Sequence, residues 1–211
     1  MIGIIDYGMG NLFSVSKALE RLGASYFISD DLAELAKADG LILPGVGSFK
    51  DAMIRLKEMK LDRFIEEYVE NGGFLLGICL GMQLLFDESE ENGFSEGLSL
   101  LPGKIGRFSG IAADNTTYKV PHMGWNKLQY CREAAILEGC YEEHVYFVHS
   151  YYLQTDNQEV VIATANYYES VPAIVGKGRV FGMQFHPEKS SQLGMKLLKN
   201  YLQLVEKKVE A

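Results

Sequence analysis

Cys79 lies in the segment Gly77-Ile78-Cys79-Leu80-Gly81-Met82-Gln83, between an apolar run and the start of a helical pattern. The form G-x-C-x-G suits a nucleophile elbow, a sharp strand-to-helix turn that lifts one side chain while small neighbours let the backbone pass. A thiolate placed there faces the positive end of the helix macrodipole and free N–H groups. The same five residues also suit an inert core thiol, so they do not decide alone. A cysteine nucleophile needs a base, and the base needs an orienting group. Of the four histidines, His186 is followed by Pro187 and Glu188. If that stretch is extended, residues two apart share a face, and Glu188 can support the imidazole. His144, among Glu142, Glu143 and Val145, reads as a solvated surface residue, and His122 and His149, in apolar or aromatic surroundings, read as structural.

Acyl chemistry also needs donors for an oxyanion. Pro44-Gly45-Val46-Gly47 follows a strand pattern and precedes a helical one, so its glycines can offer backbone N–H groups beside the elbow, with the N–H of Leu80 as a second donor. As a phosphate loop the segment fails, because no Gly-Lys-Ser or Gly-Lys-Thr follows it, and a plain turn is the alternative reading.

The elements that would position these groups alternate. Ile2 to Ile5, Leu41 to Leu43 and Phe74 to Ile78 read as buried strands. Leu12 to Leu22, Phe49 to Met59, Leu61 to Asn71 and a stretch from near Leu80 read as helices. This rhythm predicts an α/β fold with an open, mostly parallel sheet covered by helices on both faces. After Leu101 the pattern changes. Lys104 to Phe108, Tyr118 to Val120, Asn126 to Gln129, Val145 to Tyr152, Val160 to Ala165, Ala173 to Val175 and Val180 to Phe185 read as strands, with Gly176-Lys177-Gly178 as a hairpin turn. Added antiparallel strands are therefore expected in the C-terminal half. A closing helix over Ser191 to Glu206 places Leu193, Leu197, Tyr201 and Leu204 on one face.

With 211 residues, and no repeat or linker-like stretch, one domain is expected over residues 1–211. Hydrophobic residues at 47% and charged ones at 23% exclude a disordered chain or a disulfide scaffold. A net charge of −8 argues against an electrostatic nucleic-acid binder. Three cysteines in no zinc spacing, an acidic residue at position 6 and no long apolar run predict a cytoplasmic protein that neither enters nor crosses a membrane.

Taken together, the elbow, the loop Pro44 to Gly47 and the segment Gly182-Met183-Gln184-Phe185-His186-Pro187-Glu188 make the chain resemble the class I (triad) glutamine amidotransferases nearly end to end. Within that family the likeness is greatest to the glutaminase subunits of histidine biosynthesis. It runs through Asp6-Tyr7-Gly8-Met9-Gly10-Asn11, Pro121-His122-Met123-Gly124-Trp125-Asn126 and Tyr146-Phe147-Val148-His149-Ser150-Tyr151. The resemblance implies a flavodoxin-like sheet with Cys79 as nucleophile, His186 as general acid and base, and Glu188 as its orienter. It implies Gln83, Ser150 and Tyr151 in the glutamine pocket, Gly47 and Leu80 as oxyanion donors, and no metal or organic cofactor. It also implies a partner in a heterodimer, a (βα)8-barrel cyclase. That cyclase would take the ammonia and make imidazole glycerol phosphate and an aminoimidazole carboxamide ribonucleotide, with Asn11, Trp125, Tyr146 and Lys189 near the barrel face. Glutaminases of vitamin B6 or anthranilate synthesis share the elbow and the His-Pro-Glu segment, but Pro121 to Asn126 fits the histidine pathway better. A non-catalytic regulatory protein of the same fold would be expected to lack a triad residue, and all three are present.

Overall fold

Runs that bury every side chain form the centre of this protein. The computed structural model describes residues 1–209, with side chains through residue 207. Strands β1 (Ile2–Ile5), β3 (Gly40–Gly45) and β4 (Phe74–Cys79) are buried at all positions, as a sheet covered on both faces requires. Between them come α1 (Leu12–Arg21), β2 (Tyr26–Ser29), α2 (Leu32–Leu35), α3 (Phe49–Glu58) and α4 (Leu61–Glu70), and the short α5 (Leu80–Gln83) follows β4 directly. The second half supplies β5 (Glu88–Ser89), β6 (Ser95–Glu96), β7 (Lys104–Arg107), β8 (His122–Tyr130), β9 (His144–His149) and β10 (Tyr151–Gln154). It continues with β11 (Val161–Asn166), β12 (Ser170–Lys177), β13 (Val180–Met183) and the closing α6 (Ser191–Val209).

Nine strands form one sheet in the order β2-β1-β3-β4-β13-β12-β11-β8-β9. The first five are parallel, with the flavodoxin-like order, and the remaining neighbours pair antiparallel. A second sheet, β10-β7-β5-β6, lies apart. Alternation along β4 divides the core. Phe74, Leu76 and Ile78 face α1 and α6 through Val15, Leu19, Leu197 and Tyr201, while Leu75 faces α3, α4 and the small sheet through Leu56, Ile65, Ile105 and Leu153. The hydrophobic effect of burying these two layers holds the parallel strands in register.

The sequence pattern and the structure differ in places, for physical reasons. Val145 to Tyr152 is two strands rather than one. The chain breaks at Ser150, whose carbonyl accepts from the Phe108 N–H at 3.1 Å, so β9 joins the large sheet and β10 the small one. Tyr118 to Val120 forms no strand; only an isolated bridge joins Ile111 to Thr117, and Tyr118 packs its ring against Phe108, Tyr167 and Tyr168. The hairpin turns at Gly178-Arg179, one residue later than its glycines suggest, because Lys177 already pairs with Val180 and Gly178 takes the positive φ of 60°. In α6 the buried face runs through Leu193, Leu197, Tyr201 and Val205, with Leu204 only half-buried. Edge strand β2 and helix α2 were not legible, since each is four residues long and mostly exposed or half-buried.

Close approach at the elbow depends on Gly81. A Cβ there would sit 1.8 Å from the Leu43 carbonyl oxygen, and one at Gly77 would sit 2.5 Å from the Gly81 carbonyl oxygen. Gly81→Ala is therefore expected to destabilise the fold by at least about 2 kcal/mol, the scale of core overpacking. Urea unfolding should show a lower midpoint at unchanged slope, and an unaltered midpoint would remove this packing argument.

Candidate active site

The turn from β4 into α5 carries Cys79 at φ 56° and ψ −113°, a conformation that L side chains rarely adopt. Leu43, within the neighbouring strand β3, packs its carbonyl against Gly81, and the end of that strand comes alongside. Cys79, Leu80 and Gln83 line a crevice of about 350 Å³ with Val46, Gly47, Ser150, Tyr151, His149 and His186. Strand C-terminal ends of an open α/β sheet are the usual location for such a crevice.

His186 follows β13, the parallel neighbour of β4, so strand pairing brings imidazole and thiol to the same end of the sheet. Its ring borders the same crevice as the Cys79 thiol, which favours a charge on it. On its other side, Nδ1 lies 2.9 Å from Glu188 Oε1, with both side chains almost fully buried. Burial opposes a charge on this imidazole, but Cys79 and Glu188 outweigh it and raise the pKa to about 9. The contact is not made on extended backbone, however. Pro187–Lys189 is a 3₁₀ turn with His186 at its cap, and the turn swings Glu188 back under the ring. Ser190 fixes this turn, donating to the His186 carbonyl at 2.7 Å and accepting from the Tyr146 N–H at 2.9 Å.

Across the crevice the loop after β3 has one N–H already committed: Val46 donates to the Met9 carbonyl at 2.8 Å. Gly47, at φ 105°, and Leu80 border the space above Cys79. Gln83 is in the crevice wall, but its amide is occupied, donating to the Tyr151 carbonyl at 2.9 Å and to Gln184 Oε1 at 3.0 Å. Ser150 and Tyr151 sit at the break between β9 and β10. His144 is exposed, whereas His122 and His149 are buried, and His149 also reaches the crevice.

Two neighbours of the site escaped sequence reasoning. Glu91 lines the crevice from a loop, accepting from the Phe49 N–H at 2.7 Å, and burial raises its carboxyl pKa. In sequence it is one of several carboxylates between Asp87 and Glu91, with nothing to single it out. Tyr7 is fully buried below the elbow, its hydroxyl without a partner among the described residues. Asn11, Trp125, Tyr146 and Lys189 fall on a connected belt. Trp125 and Tyr146 are cross-strand neighbours with ring centroids 5.9 Å apart, Tyr146 bonds the turn bearing Lys189, and α1, capped by Asn11, packs on that turn. Among the described residues no three His, Cys, Asp or Glu side chains are grouped to hold a metal, and no helix is long and apolar enough to cross a membrane.

Residues 3–204 match the family described as glutamine amidotransferase class-I. Imidazole glycerol phosphate synthase subunit HisH of Geobacillus sp. strain WCH70 is 62% identical over 208 residues, covering 99% of this chain and 99% of its own. The subunit of the same name from Bacillus subtilis strain 168 is 54% identical over 211 residues, covering all of both chains. A solved glutamine amidotransferase superposes with a TM-score of 0.76 at 22% identity, over 97% of this chain and 98% of its own, which speaks to the fold. PurLQS from Thermotoga maritima does so with a TM-score of 0.71 at 20% identity, over 97% and 98%.

Since Cys79 helps to raise the pKa of His186, removing the thiol should move that titration down. In Cys79→Ser the His186 ring, followed by NMR over pH, is expected to lose its proton at lower pH than in the unaltered chain. An unchanged or higher midpoint would detach the two side chains electrostatically.

Proposed function

The chain belongs to the class-I glutamine amidotransferases, and from that premise we propose that it is the glutaminase subunit of imidazole glycerol phosphate synthase, releasing ammonia from L-glutamine for histidine biosynthesis. The observation that supports the chemistry is that Cys79 and His186 border one crevice, with Glu188 bonded to the far side of the His186 ring.

In this reading the Cys79 thiolate attacks the side-chain amide carbon of glutamine, and the charge that develops on the amide oxygen meets the N–H groups of Leu80 and Gly47. Collapse of the tetrahedral intermediate breaks the C–N bond. His186, protonated at neutral pH, gives its proton to the departing ammonia and leaves a thioester on Cys79. Water then attacks that thioester, passing a proton to His186, and glutamate leaves as the thiolate is restored. Glu188 keeps the imidazole facing the sulfur and stabilises its charged form. Ser150 and Tyr151 frame the substrate with their backbone, while Gln83 holds the Tyr151 carbonyl in place. Glu91 is the carboxylate available for the substrate's α-ammonium group, and its partial burial strengthens such a pair.

The partner is a cyclase subunit that consumes the ammonia, in keeping with relatives named as one subunit of a synthase. We assign its seat to the belt of Asn11, Trp125, Tyr146 and Lys189, where Trp125 is half-exposed and Met123 beside it is more so, an apolar patch suited to a (βα)8-barrel surface. The cytoplasm suits both the pathway and three free cysteines.

Reconstituted with its cyclase, Cys79→Ser should lose glutamine-dependent synthesis by at least about 10³-fold while synthesis from added ammonium salt persists. A parallel fall in both activities would overturn the division of labour. Glu91→Gln is expected to raise the KM for glutamine about tenfold with little change in kcat, the mark of a lost binding charge. Steady-state kinetics at fixed cyclase concentration reads both values, and an unchanged KM would release Glu91 from this role.

A further inference from the structure

A chain of hydrogen bonds leaves the crevice wall through two buried histidines. His149 Nδ1 lies 2.8 Å from the Tyr151 carbonyl oxygen, and its Nε2 lies 2.9 Å from Nδ1 of His122, the cross-strand partner of His149. On the far side, His122 Nε2 lies 2.9 Å from Asn126 Oδ1, and Asn126 Nδ2 donates to the Asn166 carbonyl at 2.8 Å. Both ends of this chain are backbone carbonyls, which only accept.

Counting donors along it shows that the two rings together hold one proton more than two neutral imidazoles do. The Asn166 carbonyl requires the Asn126 amide nitrogen, so Asn126 presents its oxygen to His122, and His122 Nε2 must carry hydrogen. The Tyr151 carbonyl requires hydrogen on His149 Nδ1, so a neutral His149 can only accept at Nε2. His122 Nδ1 must then donate as well. A neutral imidazole has one N–H; only an imidazolium donates from both nitrogens. With two neutral rings, one of the links is necessarily unmade, a costly condition for buried groups.

The surroundings of His122 point the same way. Tyr167 stacks on it with centroids 4.0 Å apart and planes at 16°, and Phe147 stacks at 4.6 Å and 21°, one ring on each face. Phe108 meets it edge-on at 6.1 Å. Two aromatic faces around one ring form a setting that stabilises a cation.

We propose that His122 is a positioning residue for glutamine hydrolysis: as an imidazolium donating from both nitrogens, it locks His149 onto the Tyr151 carbonyl and so holds the wall of the glutamine crevice. That carbonyl also receives the Gln83 amide, so the histidine chain and Gln83 fix it from two sides. Burial opposes a charge on either ring, and His186 opposes it further on His149, whereas the Asn126 oxygen and the two stacked rings favour it on His122, so His122 is the ring of the two that takes the proton. The charged neighbours are His186, which acts on His149 from the crevice side, and Glu169, whose carboxylate binds the hydroxyls of Tyr118 and Tyr152 beyond Phe108. The positioning role rests on the glutaminase reading, but the protonation state does not.

The test uses the full chain labelled with ¹⁵N-histidine, alone and bound to its cyclase. Ring-nitrogen NMR at neutral pH should find both nitrogens of His122 protonated and His149 as the neutral Nδ1–H tautomer; two neutral rings would overturn the proposal whether or not the protein hydrolyses glutamine. In His122→Phe, which keeps a ring between Phe147 and Tyr167 but removes both donors, kcat/KM for glutamine should fall about tenfold, mostly through KM. An unchanged KM would overturn the positioning role. Should that variant fail to fold, Asn126→Leu removes the outer acceptor and lets two neutral rings satisfy the remaining links. There the imidazolium signature should vanish, and its persistence would refute the donor count.

Discussion

A cysteine held at positive φ costs on the order of 1–3 kcal/mol and persists only where its surroundings leave no alternative. Here the surroundings are backbone rather than side chain. Gly77 lies against Gly81, and Gly81 lies against the Leu43 carbonyl, at distances no Cβ could share. The strain at Cys79 is therefore enforced by the closeness of β3, β4 and the first turn of α5, themselves clamped between two apolar layers. Relaxing that turn would drop the sulfur back into the core and away from His186. The reactive geometry is thus a consequence of how tightly the parallel sheet is packed.

The two kinds of strand pairing divide the work. Parallel strands deliver the groups proposed to react, because their C-terminal ends all open on the same side: Cys79 at the end of β4, His186 after β13 and the glycine loop at the end of β3. Antiparallel strands deliver the wall. At Ser150 the chain leaves one sheet for the other, and the crevice occupies the split, with His149 on the last strand of the large sheet and Tyr151 on the first residue of β10. The bond from His149 to the Tyr151 carbonyl bridges this split, so the relation of the two sheets and the shape of the binding wall are set by the same contact.

What could be read from sequence follows from how locally each feature is encoded. Gly77-x-Cys79-x-Gly81 is a local demand for a tight turn, and it was legible as such; so was the pairing of His186 with Glu188, although a 3₁₀ turn rather than an extended segment makes it. The buried strands β1, β3 and β4 announce themselves by having no polar face. Glu91 was invisible because its role depends on where a loop lands, against the first residue of α3, and no pattern within the loop records that. The link from His122 to His149 was hidden too: aromatic surroundings mark both as structural, and only the cross-strand register places one ring's nitrogen against the other's. Tyr118 to Val120 reads as a strand by composition, yet its aromatic ring is used for packing beside Phe108 instead of for a ladder.

The pairing of β4 with β13 joins Leu75 to Val180. During synthesis β4 therefore waits beside β3 with its other edge bare while the roughly 100 intervening residues are made. At about 5–20 residues per second that wait lasts on the order of 5 to 20 seconds. For that time an apolar strand edge, the kind that templates unwanted pairing, must be shielded by something other than its final partner. His186 arrives with the same late strand, so imidazole and thiol come to one end of the sheet only after β13 is made. The order of strands along the chain thus leaves this apolar edge open until β13 is made.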